Sequence, residues 1–187
     1  VLRKGNDARK SVSEAGLSLP LVVKPVRGGS SIGVTLATDW NIFDQGVAAA
    51  FAHDDIVMAE ALIKGREFTV GVLDGNALPV IELRTKRVFY DYQAKYQDDD
   101  TEYLCPAPVD LGITALLQRC AIDTHNAVGA RDFSRVDILL DGNLNPYVLE
   151  INIIPGFTSH SLLPKAAGAT GLPFAKLCEK MINMAWK

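Results

Sequence analysis

The stretch RVDILLDGNLNPYVLEIN, Arg135 to Asn152, alternates polar and aliphatic residues on both sides of a turn rich in glycine and asparagine. An antiparallel hairpin with one face in a core satisfies that pattern. A four-residue loop from Gly142 to Asn145 sets Asp141 opposite Pro146, and then Asp137 faces Glu150 and Arg135 faces Asn152. Side chains alternate along strands, so Arg135, Asp137, Glu150 and Asn152 project from one face. Val136, Ile138, Leu149 and Ile151 cover the other, the core face. A slip of one residue would bury the polar set among aliphatics.

Two opposed carboxylates have Cβ atoms about 5 Å apart. At an effective dielectric near 20, like charges about 4 Å apart repel by roughly 4 kcal/mol. Something must neutralise them. They could share a proton, Arg135 could bridge them, or a divalent cation could bind. Two carboxylates and the Asn152 amide are a hard-oxygen set suited to magnesium, which usually keeps phosphate as a further partner. The plain alternative is a solvent-facing hairpin with a surface salt bridge.

A second feature supplies a place for phosphate. KPVRGGSSIGV, Lys24 to Val34, fits neither familiar phosphate loop. Serine stands where the dinucleotide fingerprint needs its second glycine, and Val34 where the P-loop needs lysine. Lys24 instead precedes the loop, at the end of the apolar run LPLVV, with IGVTLA following. This predicts a hairpin-like flap with bare backbone donors and an inward lysine, or else a solvated turn.

The rest of the chain predicts an α+β fold with antiparallel sheets. Asp39 is a helix N-cap for WNIFDQGVAAAFAHD. DIVMAEAL, REFTVGVL and ALPVIEL read as strands, the last two joined through Asp74-Gly75-Asn76. Residues 84–103 have neither period and, with their aromatics and Lys95, read as a lid. Leu111 to Val128 and LPFAKLCEKMINMAW read as amphipathic helices. The net charge of −3 argues against nucleic acid as a partner. No apolar run approaches the roughly 20 residues of a membrane span, which predicts no membrane partner. Cys105, Cys120 and Cys178, with no C-x-x-C, read as buried free thiols of a cytoplasmic protein, and the three histidines lack metal spacing.

Six ordered blocks, KPVRGGSSIGV, FYDYQAKY, YLCPAP, RVDILLD, YVLEIN and PGFTSHSLLP, resemble the motifs of D-alanine–D-alanine ligases of the ATP-grasp superfamily. The resemblance covers the chain from about Leu19 and implies two α+β subdomains enclosing ATP: 1–63, and 64–187 with the lid. It implies phosphorylation of one D-alanine carboxylate by ATP and attack of a second D-alanine amine, giving a dipeptide for peptidoglycan. D-alanine–D-lactate ligation, another ATP-grasp carboxylate–amine ligation, and an inactive nucleotide-binding fragment are the alternatives.

The resemblance assigns Lys24, Ser31, Glu60, Ile63, Glu67, Phe89 and Lys95 to ATP. It gives Asp137, Glu150 and Asn152 to two magnesium ions, with manganese as a substitute. Arg135 and Gly156 would stabilise the tetrahedral intermediate. Ser161 and Leu162 would hold the second D-alanine carboxylate, and Ser30 and Tyr96 would join in closing the lid. Tyrosine at 96 points to an amine acceptor, since enzymes making D-alanyl-D-lactate often carry phenylalanine there. Ile153 and Phe157 stand where the family has threonine and methionine, and Ala61 and Leu62 replace larger residues of the adenine hinge. The opening at Val1, and the absence of the family's N-terminal domain and a further phosphate-binding lysine, predict more chain upstream. A homodimer is expected of the full-length protein.

Overall fold

The computed structural model of the chain describes residues 1–29, 31–85 and 101–186. The described residues fall into two compact units, Val1–Ile63 and those from Lys64 on. All strand pairings within each are antiparallel. The architecture is α+β, as the sequence predicts.

In the first unit, β1 (Leu2–Arg3), β2 (Leu21–Pro25), β3 (Thr35–Ala37) and β4 (Ile56–Ala61) form a sheet ordered β1-β4-β2-β3. Helices α1 (Ala8–Glu14) and α2 (Trp40–Phe51) complete it. Asp39 caps α2 as expected, accepting from the Asn41 and Ile42 amides at 2.9 Å. α1 escapes the sequence pattern because it is short and only Val12 is buried. Leu21, Val23, Val57 and Ala59 alternate into the core against Phe43, Val47 and Ala50 of α2. Lys24 and Glu60 therefore point from the opposite face.

In the second unit, β5 (Gly65–Leu73), β6 (Asn76–Ala77), β7 (Ile81–Thr85), β8 (Thr101–Leu104), β9 (Phe133–Asp141) and β10 (Pro146–Asn152) form one sheet. Its order is β10-β9-β5-β7-β8, with β6 beside β5. Asp74 and Gly75 both have positive φ, which makes the two-residue hairpin turn expected there. α3 (Leu111–Ala127) covers one face through Leu117 and Ala121, against Phe68, Val70, Val136 and Ile138. α4 (Leu162–Ala169) lies against β5, and α5 (Phe174–Ala185) follows it. Gly71 makes room for α4, since a Cβ there would stand 2.6 Å from Leu163 Cδ1.

Several expectations need correction. ALPVIEL is not one strand: β6 ends at Ala77 and β7 starts at Ile81, because Pro79 cannot donate to a ladder. Residues 84–103 are not structureless throughout. Arg84 pairs with Glu102 and Thr85 with Thr101, extending the β7–β8 ladder, and residues 86–100 of the expected lid lie outside the described residues. Asp141 does not face Pro146; Leu140 does. Asp141 instead closes the turn, accepting from the Asn143 and Asn145 amides at 2.8 Å. The three cysteines are free but half-buried rather than buried.

Candidate nucleotide and metal site

The hairpin register reaches its expected pairing by a different route. From the turn, Tyr147 pairs with Leu139 and Val148 with Ile138, one residue out of the expected register. A bulge at Leu149 then restores it: Glu150 pairs with Asp137 and Asn152 with Arg135. A bulge spends one residue without a partner and turns the side chains beyond it by one step. Leu149 is consequently 36 % exposed and not core, whereas Val136 and Ile138 are fully buried.

Arg135, Asp137, Glu150 and Asn152 stand together as expected. Arg135 grips Asp137 bidentately, with Nε donating to Oδ1 at 2.9 Å and Nη2 to Oδ2 at 2.8 Å. Its Nη2 also lies 4.0 Å from Glu150 Oε1. The guanidinium thus neutralises the opposed pair, the bridging arrangement open at the sequence level. Asn152 Nδ2 donates to Glu150 Oε1 at 3.1 Å and to Asp137 Oδ2 at 3.3 Å. Among the described residues no three His, Cys, Asp or Glu cluster as a metal site. With its amide turned end for end, Asn152 would offer a third oxygen beside the two carboxylates, a set suited to a hard cation. The donor set fits magnesium.

Sequence reasoning missed Thr69. It pairs with Asp137 across β5 and β9, is buried, and donates from Oγ1 to Asp137 Oδ1 at 2.6 Å. Alternation in REFTVGV places Thr69 on the face of Glu67, but that β5 lies beside β9 is a tertiary fact. Glu67 shares this face, opposite Leu139.

After β10 the chain runs through Gly156 to Ser161, the N-cap of α4. The Thr158 amide donates to Ser161 Oγ at 3.0 Å, and a Cβ on Gly156 would stand 3.3 Å from that oxygen. Leu162 is the first residue of α4, where a helix amide has no intrahelical acceptor and favours a carboxylate. Pro164 falls in the first turn, which tolerates it.

In the first unit, Lys24 Nζ lies 2.5 Å from Glu60 Oε1, bringing two predicted nucleotide residues together. They sit diagonally on β2 and β4, since Lys24 pairs with Met58 and Val22 with Glu60. β2 and β3 pair as an antiparallel hairpin, with residues 26–29 and 31–34 described between them. Ser31 and Gly33 have positive φ, and a Cβ on Gly33 would come within 2.9 Å of Pro25 and His53. Ile63 ends the unit two residues after β4. Ser30, Phe89, Lys95 and Tyr96 lie outside the described residues.

A clamp at the base of the flap was also missed. Asp54 Oδ2 accepts the Arg27 amide at 2.6 Å, and Oδ1 accepts Arg27 Nη2 at 2.6 Å and the Ile56 amide at 3.1 Å. The Arg27 guanidinium, then its amide, holds the Asp54 carboxyl far below the usual range. In the second unit, burial pushes the Glu82 carboxyl up, but Arg66 and Arg84 outweigh it and the net shift is downward.

Known proteins with the same pattern make the comparison direct. The chain is 48% identical over 167 residues, 89% of its length, to a D-alanine–D-alanine ligase of Methylacidiphilum infernorum. It covers 55% of that relative, so it spans about half the length of the curated relatives it matches. A crystal structure of a D-alanine–D-alanine ligase from Bacillus anthracis complexed with ATP superposes with a TM-score of 0.82 at 32% identity, over 99% of this chain and 59% of that one. The VanG D-Ala:D-Ser ligase of Enterococcus faecalis gives 0.81 at 34% identity, over 94% of this chain and 52% of that one. The model of the family described as D-ala D-ala ligase C-terminus matches residues 2–183, and the chain belongs to that family.

Proposed function

We propose that this chain is the nucleotide- and metal-binding part of an ATP-dependent ligase that joins two D-alanines for peptidoglycan. The observation carrying this reading is the paired Asp137 and Glu150, with Arg135 and Asn152 on the same face of one hairpin. The names of its relatives support the substrate.

In this reading the flap amides and Lys24 bind ATP phosphates, Glu60 and the backbone at Ile63 hold adenine, and Glu67 holds ribose. The carboxylate of the first D-alanine attacks the γ-phosphorus, ADP leaves, and an acyl phosphate forms. The second D-alanine, its carboxylate on Ser161 and the Leu162 amide, attacks the acyl carbon through its amine. Phosphate then leaves, carrying the proton that the amine gives up, and the amide remains. Arg135 and the Gly156 amide offset negative charge on the tetrahedral carbon's oxygen, a role worth several kcal/mol where donors are preorganised. Asp137, Glu150 and Asn152 would hold magnesium, which when bound neutralises phosphate charge. Phe89, Lys95, Tyr96 and Ser30 would close over the nucleotide.

Free half-buried thiols support a reducing compartment, the cytoplasm. No helix among the described residues is long and apolar enough to cross a membrane. The complete protein would act as a homodimer, on the resemblance alone. Phosphate release from ATP by the complete protein, measured with and without D-alanine, tests the activity. Release indifferent to D-alanine refutes it.

A further inference from the structure

We propose that Thr69 is a positioning residue for the Asp137 carboxylate, and through it for the metal–nucleotide site. The inference rests on the reading of Asp137, Glu150 and Asn152 as metal ligands. Thr69 sits mid-strand in β5, directly paired with Asp137, and is 1 % exposed. Its Oγ1 lies 2.6 Å from Asp137 Oδ1 and 3.3 Å from the Val136 carbonyl. A hydroxyl has one proton to give, and a charged acceptor makes the shorter and stronger bond. The proton goes to the carboxylate.

The other donors to Asp137 hold it from longer side chains. Arg135 grips both its oxygens from two residues along the same strand, on a long side chain that the proposed reaction also assigns to the tetrahedral intermediate. Asn152 belongs to the outer strand and divides its amide between two carboxylates. Thr69 is short, buried and β-branched, with a restricted χ1. By holding Oδ1 from the β5 side it turns Oδ2 toward β10, where Asn152 and Glu150 stand. A partner behind a ligating carboxylate commonly governs metal affinity by about 10- to 100-fold.

Valine keeps the shape of threonine and its strand preference while removing the proton. The test is calorimetric titration of the full chain with ADP, once with magnesium and once in EDTA. Thr69→Val should weaken ADP binding in magnesium by about tenfold or more. It should leave binding in EDTA unchanged, and Thr69→Ser, which restores the hydroxyl, should restore the affinity. Manganese electron paramagnetic resonance gives a second readout: the valine variant should broaden or lose the bound-ion signal. Equal loss with and without magnesium would show a merely structural residue and overturn the proposal, as would unchanged binding in magnesium. Should valine prevent folding, Thr69→Ala against Thr69→Ser is read by the same rule. A wild-type chain that binds ADP equally well with and without magnesium overturns the metal reading, and this assignment with it.

Discussion

Replacing Glu150 by glutamine should separate stability from binding, because Arg135 already offsets the opposed carboxylates in the fold while a cation needs both charges. Paired residues of an antiparallel ladder hold their Cβ atoms roughly 5 Å apart. Like charges at about 5 Å repel by about 3 kcal/mol at an effective dielectric near 20, and by about 0.8 kcal/mol in water. Glu150 is 50 % exposed along its side chain, so the repulsion falls between, on the order of 1–2 kcal/mol. By the same rule its attraction to the Arg135 guanidinium, with Nη2 at 4.0 Å, is on the order of 1–4 kcal/mol and offsets that repulsion. Glutamine keeps the length and the acceptor for Asn152. Glu150→Gln should therefore stay within about 1 kcal/mol of the wild type, which for a chain of 187 residues is about 2–4 °C in Tm. Magnesium–ADP affinity should fall at least about tenfold, since losing one of two ligand charges costs a dication more than about 1.4 kcal/mol. Thermal denaturation and magnesium–ADP titration read the two effects. Wild-type affinity would refute the metal assignment, and a loss of more than about 2 kcal/mol in stability would refute the account of the repulsion.

Asp54→Asn should lower Tm at neutral pH and loosen the flap. The native Asp54 carboxyl lies below its unfolded value near 3.9, so its contribution is present above about pH 4 and lost as pH falls further. The Tm difference between wild type and variant should shrink below pH 4; a difference independent of pH refutes the clamp. Gly33→Ala forces a side chain into positive φ against Pro25 and His53, at a cost of about 1–2 kcal/mol, and should weaken nucleotide binding. Unchanged ADP affinity and Tm would contradict that geometry. In the complete protein, the proposed ligase activity in competition between D-alanine and D-lactate near neutral pH should give the dipeptide. Tyr96→Phe should shift the ratio toward the depsipeptide by about tenfold, the equivalent of 1.36 kcal/mol, and a wild type already preferring D-lactate would overturn the acceptor assignment.

The features legible in the residues alone are local. The alternation in RVDILLD and YVLEIN already puts Arg135, Asp137, Glu150 and Asn152 on one face, and Asp39 already marks the start of α2. These follow from the period of two along a strand and from the capping geometry of a helix, which the backbone imposes on any chain. The rest depends on how the elements pack. The turn at Asp141–Asn145 put the hairpin one residue out of step, and the bulge at Leu149 brought the carboxylates back opposite each other. The short α4, with Pro164 inside its first turn, gains its place by burying Leu163, Ala166 and Ala167, in the space Gly71 leaves against β5. Thr69 met Asp137, and Asp54 met Arg27, only when separate stretches packed together. Partners distant in the chain are chosen by the burial of whole faces, a collective free energy that no short stretch of residues contains.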